Sequence, residues 1–158
     1  MVNKPIQHTR VRFKDCDPFG HLYNTRFIEY MLEAREDLLL KHYQFDLMEY
    51  SQNTQQVWVI TKHEIAYLRE ARRNEIISLD SSLLSFDDKK LKVEYQIWNE
   101  SKDQLKCLLW TDFLHLELPS KRTIAHPSGI MELLENMCEP IQQMTLTERI
   151  QALIKSGS

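Results

Sequence analysis

Hydrophobic and polar positions change their period several times along this chain, and each change marks an element. Over residues 7–14, Val11 and Phe13 alternate with Arg10, Arg12 and Lys14, the two-residue period of a half-buried strand. From Asn24 to Lys41 the period lengthens. Phe27, Met31, Ala34 and Leu38 fall on one helical face, Tyr30 widens it, and Glu29, Glu33, Glu36 and Asp37 lie mostly opposite. Asn24 is the expected N-cap, because its side chain can accept from a first-turn amide. Glu29–Glu33 and Glu33–Asp37 are like-charge pairs four apart, which oppose an isolated helix. The helix therefore depends on burying its apolar face.

Residues 42–56 are polar and irregular, a lid or loop with one helical turn expected around Asp46–Tyr50. A strand pattern follows at 57–68, with Val57, Val59, Ile65 and Tyr67 on one parity and Trp58, Ile60, Ala66 and Leu68 on the other. Apolar residues on both parities imply a strand covered on both sides. The charged run Arg69–Asn74 connects it to a strand over Ile76–Phe86, and Phe86–Lys90 turns the chain. Leu91, Val93, Tyr95 and Ile97 alternate cleanly with Lys92, Glu94 and Gln96. Asn99–Asp103 turns again, and Gln104–Leu118 returns as a long strand. After Pro119–Arg122, a helix begins at Pro127-Ser128, carries Ile130, Met131, Leu134 and Met137 on one face, and closes at Pro140. Thr145-x-x-Glu148 matches a capping box before Leu146, Ile150, Leu153 and Ile154, so a last short helix is expected. Strand, long helix, four meandering strands and then helices predict an α+β fold, an antiparallel sheet with its helix on one face.

Composition narrows the function classes without changing that picture. At 158 residues the chain is long enough for a real core and reads as one domain. A net charge of −3 gives no basic field for nucleic acid. No apolar run at the N-terminus suggests a signal peptide, and no stretch approaches the ~18 apolar residues of a membrane span. Cys16, Cys107 and Cys138 are odd in number and widely spaced, which points to reduced thiols in a cytoplasm.

The chemistry concentrates in Asp15-Cys16-Asp17-Pro18-Phe19-Gly20-His21-Leu22-Tyr23-Asn24. Such a run between strand and helix is first of all turn chemistry: aspartates accept backbone amides and Pro18 fixes a bend. Two features add a second reading. Asp15 and Asp17 share strand parity, so a continuing strand would turn both to one side. Asp17 also precedes the turn that delivers the first helical amides, whose unpaired N–H groups favour an anion or oxyanion. A carboxylate beside such donors suits acyl transfer, with the carboxylate attacking or activating water and the amides holding the carbonyl oxygen.

Asp15-x-Asp17-x-x-Gly20-His21-x-x-Asn24, followed by Phe27, Tyr30 and Glu33-Ala34-Arg35, resembles the hot-dog-fold acyl-CoA thioesterases of the 4-hydroxybenzoyl-CoA thioesterase branch. The resemblance runs over roughly residues 7–135. It implies an antiparallel sheet wrapped around one long central helix, with residues 1–137 as the hot-dog domain and 138–158 as a C-terminal helical extension of it. It also implies a homodimer or homotetramer with sites between subunits, no cofactor, and hydrolysis of an acyl-CoA or acyl-carrier-protein thioester. The family's catalytic aspartate matches Asp17, and the helix-start amide that polarises the carbonyl matches Asn24 or Tyr23. The sequence departs from the family at Arg69–Asn74, which lacks the usual Pro and Gly-Asp, and in its length beyond Met137.

The remaining candidates carry plainer alternatives. His21 contacts substrate, orients Asp17 or merely braces the turn. Arg72 and Arg73, with Arg69, suit the phosphates of CoA but also suit a solvated connection. Cys16 as a nucleophile is disfavoured, because flanking carboxylates raise a thiol pKa. His63-Glu64 begins like a zinc-protease helix, yet Tyr67 occupies the second histidine position and the segment reads as a strand, so no metal is expected. Arg35 is expected to fix the helix by an ion pair. Two further function classes stay open: a hydroxyacyl-thioester dehydratase or hydratase using Asp17 and His21, and a non-catalytic acyl-thioester-binding or assembly subunit.

Overall fold

The computed structural model describes residues 5–156. Five strands form one antiparallel sheet: β1 (Gln7–Arg10), β2 (Gln56–Tyr67), β3 (Ile76–Phe86), β4 (Lys90–Asn99) and β5 (Leu105–Glu117), in the spatial order β1-β3-β4-β5-β2. Four helices accompany them: α1 (Asn24–Tyr43), α2 (Leu47–Thr54), α3 (Ser128–Met137) and α4 (Leu146–Ser156). None of these helices is long and apolar enough to cross a membrane.

The apolar stripe of α1 lies on β3 and β4. Phe27, Tyr30, Met31, Ala34 and Leu39 are buried against Ile77, Leu79, Leu83, Val93, Tyr95, Ile97 and Leu109. Toward the end of the helix Leu39 is buried and Leu38 half-buried, the reverse of what the stripe alone predicts. The opposite face of the sheet is also covered. There Glu94 is fully buried and accepts from Trp110 Nε1 (2.9 Å), Gln96 Nε2 (2.7 Å) and Arg149 of α4, whose Nε and Nη2 lie 2.8 and 2.9 Å from the two carboxylate oxygens. These partners hold the Glu94 carboxyl below its ordinary range even though burial pushes it up. The capping box is present: Glu148 N–H donates to Thr145 Oγ1 (3.1 Å), and Glu148 Oε2 accepts from Met144 N–H.

The polar stretch 42–56 is more ordered than its composition suggests. Asp46 Oδ1 accepts from the N–H groups of Met48 and Glu49, and this cap starts two turns of α2 where one was expected. Its Tyr50 stacks on Trp58 of β2 and lies 2.9 Å from Nε2 of the buried His115. Beside it, Trp58 Nε1–H donates to Nε2 of His126 (2.9 Å), and the two imidazoles lie 4.9 Å apart. Each Nδ1 faces a backbone carbonyl, Ile124 for His115 and Asp87 for His126. That contact puts the single proton on Nδ1, and burial pulls both pKa values down.

Three expectations change at the first junction. The strand predicted over 7–14 stops at Arg10, and Phe13–Asp15 form a 3-10 turn. Asp15 and Asp17 therefore do not share a face: the turn swings Asp15 inward, where it is 5% exposed, and leaves Asp17 at the surface. Phe13 points to solvent, under the Arg73 guanidinium at 5.5 Å. The third change concerns Asn24, which does not cap α1. Leu22 N–H donates to Ala71 O and Tyr23 N–H to Asp15 O, so the chain is clamped through Tyr23. Tyr23 holds the N-cap position without a side-chain bond, and Asn24 is already helical.

Candidate active site

The turn before α1 is built on Asp17. Gly20 N–H donates to Asp17 O (3.0 Å), and Gly20 adopts φ 80°, a left-handed conformation that suits a residue without Cβ. The Asp17 side chain closes the same turn, with Oδ1 accepting from the N–H groups of Phe19 (2.9 Å) and His21 (3.0 Å). The local sequence dictates this arrangement: an aspartate two and four residues ahead of free amides is an Asx-type brace. Oδ2 has no hydrogen-bond partner among the described residues, so one oxygen of the carboxylate is structural and the other is available.

The connection 69–75 straps this turn to the sheet. Arg73 N–H donates to Gly20 O and Leu22 N–H to Ala71 O, both at 2.8 Å, and Ala71 is fully buried. Glu70 then ties two side chains together. Its Oε2 lies 2.9 Å from His21 Nε2, and its Oε1 accepts from Arg72 Nε and Nη2 at 3.2 and 3.0 Å. His21 thus braces the turn through Glu70.

Behind the turn, Asp15 anchors α1. Tyr30 O–H donates to Asp15 Oδ2 at 2.5 Å and accepts from Arg12 N–H at 3.1 Å. Burial, reinforced by the Asp15 bond, pushes the Tyr30 hydroxyl up to about 12, so it remains a donor at any physiological pH. Cys16 gives its thiol to Arg12 O (3.2 Å), and its pKa is raised by burial and by the charges of Asp15 and Asp17, which argues against a thiolate.

Asp17, His21, Tyr23, Asn24 and Thr25 line one cleft of about 560 Å³ with Tyr67, Leu68, Arg69 and Glu70. The backbone decides what this cleft offers. Of the two amides expected to meet a carbonyl oxygen, that of Tyr23 is taken by Asp15 O. The N–H groups of Asn24 and Thr25, in the first turn of α1, have no acceptor among the described residues. They sit at the positive end of the helix dipole, and Asn24 and Thr25 line the same cleft as Asp17. Tyr67 O–H donates to Asn24 O (2.9 Å), and its ring meets Phe27 edge-on at 5.5 Å, so β2 fixes the position of the helix start.

The predicted arginines separate. Arg72 is held by Glu70 and lies outside the lining of this cleft. Arg73 lines a neighbouring cleft of about 540 Å³ with Phe13, Lys14 and Phe19, which shares Asp17 and Tyr23 with the first. Tyr67 and Glu70 are the participants that sequence reasoning missed. Each works across a long stretch of chain, Tyr67 on Asn24 and Glu70 on His21, and no local pattern announces such a contact. No cluster of metal-ligating side chains occurs among the described residues, and His63 lies on β2 bonded to Thr111 Oγ1 (2.8 Å).

A family model described as the Thioesterase-like superfamily matches residues 11–134. The long-chain acyl-CoA thioesterase FadM of Escherichia coli is 26% identical over 128 residues, which cover 81% of this chain and 95% of that protein. The L-carnitine dehydrogenase/betainyl-CoA thioesterase of Agrobacterium fabrum is 25% identical over 118 residues. That match covers 75% of this chain but only 24% of the Agrobacterium protein, so the chain spans about a quarter of that relative's length. Among solved structures, a 1,4-dihydroxy-2-naphthoyl-CoA thioesterase from Synechocystis superposes with a TM-score of 0.75 at 16% identity, covering 85% of this chain and 98% of that one.

Proposed function

The chain belongs to the Thioesterase-like superfamily and has its α+β hot-dog fold, and from that premise we propose that it hydrolyses acyl-CoA thioesters at the cleft beside Asp17. The observation that carries the proposal is the pairing in one cleft of a carboxylate having one uncommitted oxygen with the two unpaired amides at the start of α1. In the general-base route, Asp17 Oδ2 takes a proton from water as the water oxygen bonds to the carbonyl carbon. The carbonyl oxygen becomes anionic and accepts from Asn24 N–H. Collapse of the tetrahedral centre breaks the C–S bond, and the leaving sulfur takes the proton from Asp17, which releases the free acid and the CoA thiol and restores the carboxylate. In the nucleophilic route Oδ2 itself bonds to the carbonyl carbon, the thiolate leaves, and water opens the mixed anhydride. A chain of acyl-added mass on rapid quench marks the second route.

His21 acts as a positioning residue, since its backbone N–H and its Glu70 contact both hold the Asp17 turn. Tyr23 borders both clefts, and Arg73, with Arg72 nearby, gives the phosphates of CoA a cationic side. CoA rather than a carrier protein is favoured because the three named relatives are described by CoA thioesters. The working assembly is a homodimer, or a homotetramer built from it. β2 is a 12-residue strand at the sheet edge, against 4 residues for β1 at the other edge, and its outer backbone groups suit a second copy. The three free cysteines accord with a cytoplasmic setting.

The test is release of free thiol from a panel of acyl-CoAs by the wild type and Asp17→Asn. The expected result is turnover of at least one chain length, lowered ~10²- to 10⁴-fold by the substitution, the usual range for a general acid–base group. No release with any chain length, or unchanged turnover in the variant, sinks the proposal.

A further inference from the structure

A second cavity lies farther along α1, away from Asp17. It encloses about 270 Å³ between Leu32–Leu39 of α1, α2, α3 and the sheet. Its walls are almost wholly apolar, with Leu39, Leu47, Trp58, Val93, Phe113 and Leu134 among them. A cation, Arg35, stands in that wall.

Arg35 does not form the ion pair expected of it. Among the described residues its Nη1 donates to Ser81 Oγ at 3.3 Å, and no carboxylate lies within ion-pairing distance. A guanidinium has five N–H donors, so most of its capacity is unused. The groups that bear on it electrostatically are Tyr95, Tyr43 and Glu139, and burial pulls its pKa down without removing its charge. Glu36, which is exposed, also lines the cavity, on the side where water screens it. Arg35 is half-buried and has one long protein hydrogen bond, so most of its donors are open to a ligand that enters the cavity. The matching group is a carboxylate, which accepts two parallel N–H bonds from the guanidinium fork. The space beside it accepts hydrocarbon. The volume lies just below the roughly 300 Å³ at which drug-sized ligand sites begin, which favours a chain of medium length.

We propose that this cavity binds a medium-length aliphatic carboxylate, with its chain in the apolar hollow and its carboxylate on Arg35. The inference goes beyond hydrolysis at Asp17 and stands or falls independently of it. The same chemistry comes from two sources, a free fatty acid or the far-end carboxylate of an acyl group carried on a thioester.

Calorimetry of the whole chain with decanoate and decanol tests the first source. The expected result is saturable 1:1 binding of decanoate, at least tenfold tighter than decanol, and weakened at least tenfold in Arg35→Met. Turnover of ω-carboxydecanoyl-CoA against decanoyl-CoA tests the second. A tenfold or larger loss in kcat/KM confined to the ω-carboxy substrate in Arg35→Met assigns the site to the substrate's far end. If Arg35→Met fails to fold by circular dichroism, Arg35→Gln, which removes the charge and keeps a polar side chain, takes its place with the same expected losses. Equal binding of decanoate and decanol, or no dependence on the variant in either arm, overturns the proposal. A wild type that binds decanoate but hydrolyses no thioester refutes the acyl-CoA reading and leaves this one standing.

Discussion

At the start of α1 the proposed functional groups are backbone amides and one carboxylate oxygen, beside a wide cleft of mixed polar and apolar lining. Toward the other end of the helix the surroundings are hydrocarbon, and the polar groups are side chains: the half-buried Arg35 and, beyond it, the buried His115 and His126. Position in the first region is set by turns and backbone pairing, so side-chain identity matters only where a charge or a donor is required. Position in the second is set by packing, and each polar atom there is costly unless it finds a partner. One helix thus borders two environments that respond differently to substitution and to pH.

The sharpest way to break this comparison is at Asp17. Asp17→Asn keeps an Oδ1 acceptor for Phe19 and His21, so the fold should persist while turnover falls by orders of magnitude. Asp17→Ala should lose both, with an added stability loss of ~1 kcal/mol for each of the two hydrogen bonds. Comparable thermal melting of the two variants would show that Oδ1 does not build the turn. Next comes Tyr30→Phe, which leaves the buried Asp15 without its donor and should destabilise the fold by about 1–3 kcal/mol in urea unfolding. An unchanged midpoint would separate Asp15 from the anchoring of α1.

Acid should act on the far region first. His115 and His126 have folded pKa values below the unfolded one, so the unfolded chain binds more protons as pH falls below about 6.5. Stability should be full above that pH and decline below it, by at most ~1.4 kcal/mol per pH unit for each histidine. His115→Gln should flatten the slope, and an identical slope would assign the acid sensitivity elsewhere. The smallest effect is expected at Glu70→Gln. Its contacts to His21 and Arg72 are well exposed, and such pairs contribute ~0.2–1 kcal/mol. A loss of turnover much larger than the loss of stability would give Glu70 a direct part in the chemistry.

The sequence carried the elements better than it carried the details of either region. The period of α1 announced the helix, because only one of its faces is buried, and the alternation in β4 announced a strand although both of its faces are covered in the fold. The Asp17–Asn24 run was legible because turn chemistry is local. The strand over 7–14 failed for a matching reason: two alternations cannot reveal that a 3-10 turn intervenes at Phe13. The N-cap at Asn24 failed because Ala71, far along the chain, clamps Leu22. Arg35 was expected to fix its helix by an ion pair. Only assembly of α2, α3 and the sheet around it makes it a cation in an apolar wall.

Glu94 and Arg149 set a limit on how this chain can be cut. The family match ends at residue 134, and a protein trimmed there would look complete by its strands. It would also keep a fully buried carboxylate on β4 and discard its counter-charge on α4. Removing one member of a buried pair typically costs roughly 3–5 kcal/mol, a large share of a domain's stability. A cut before Arg149 is therefore expected to take from Glu94 the partner that the folded chain gives it.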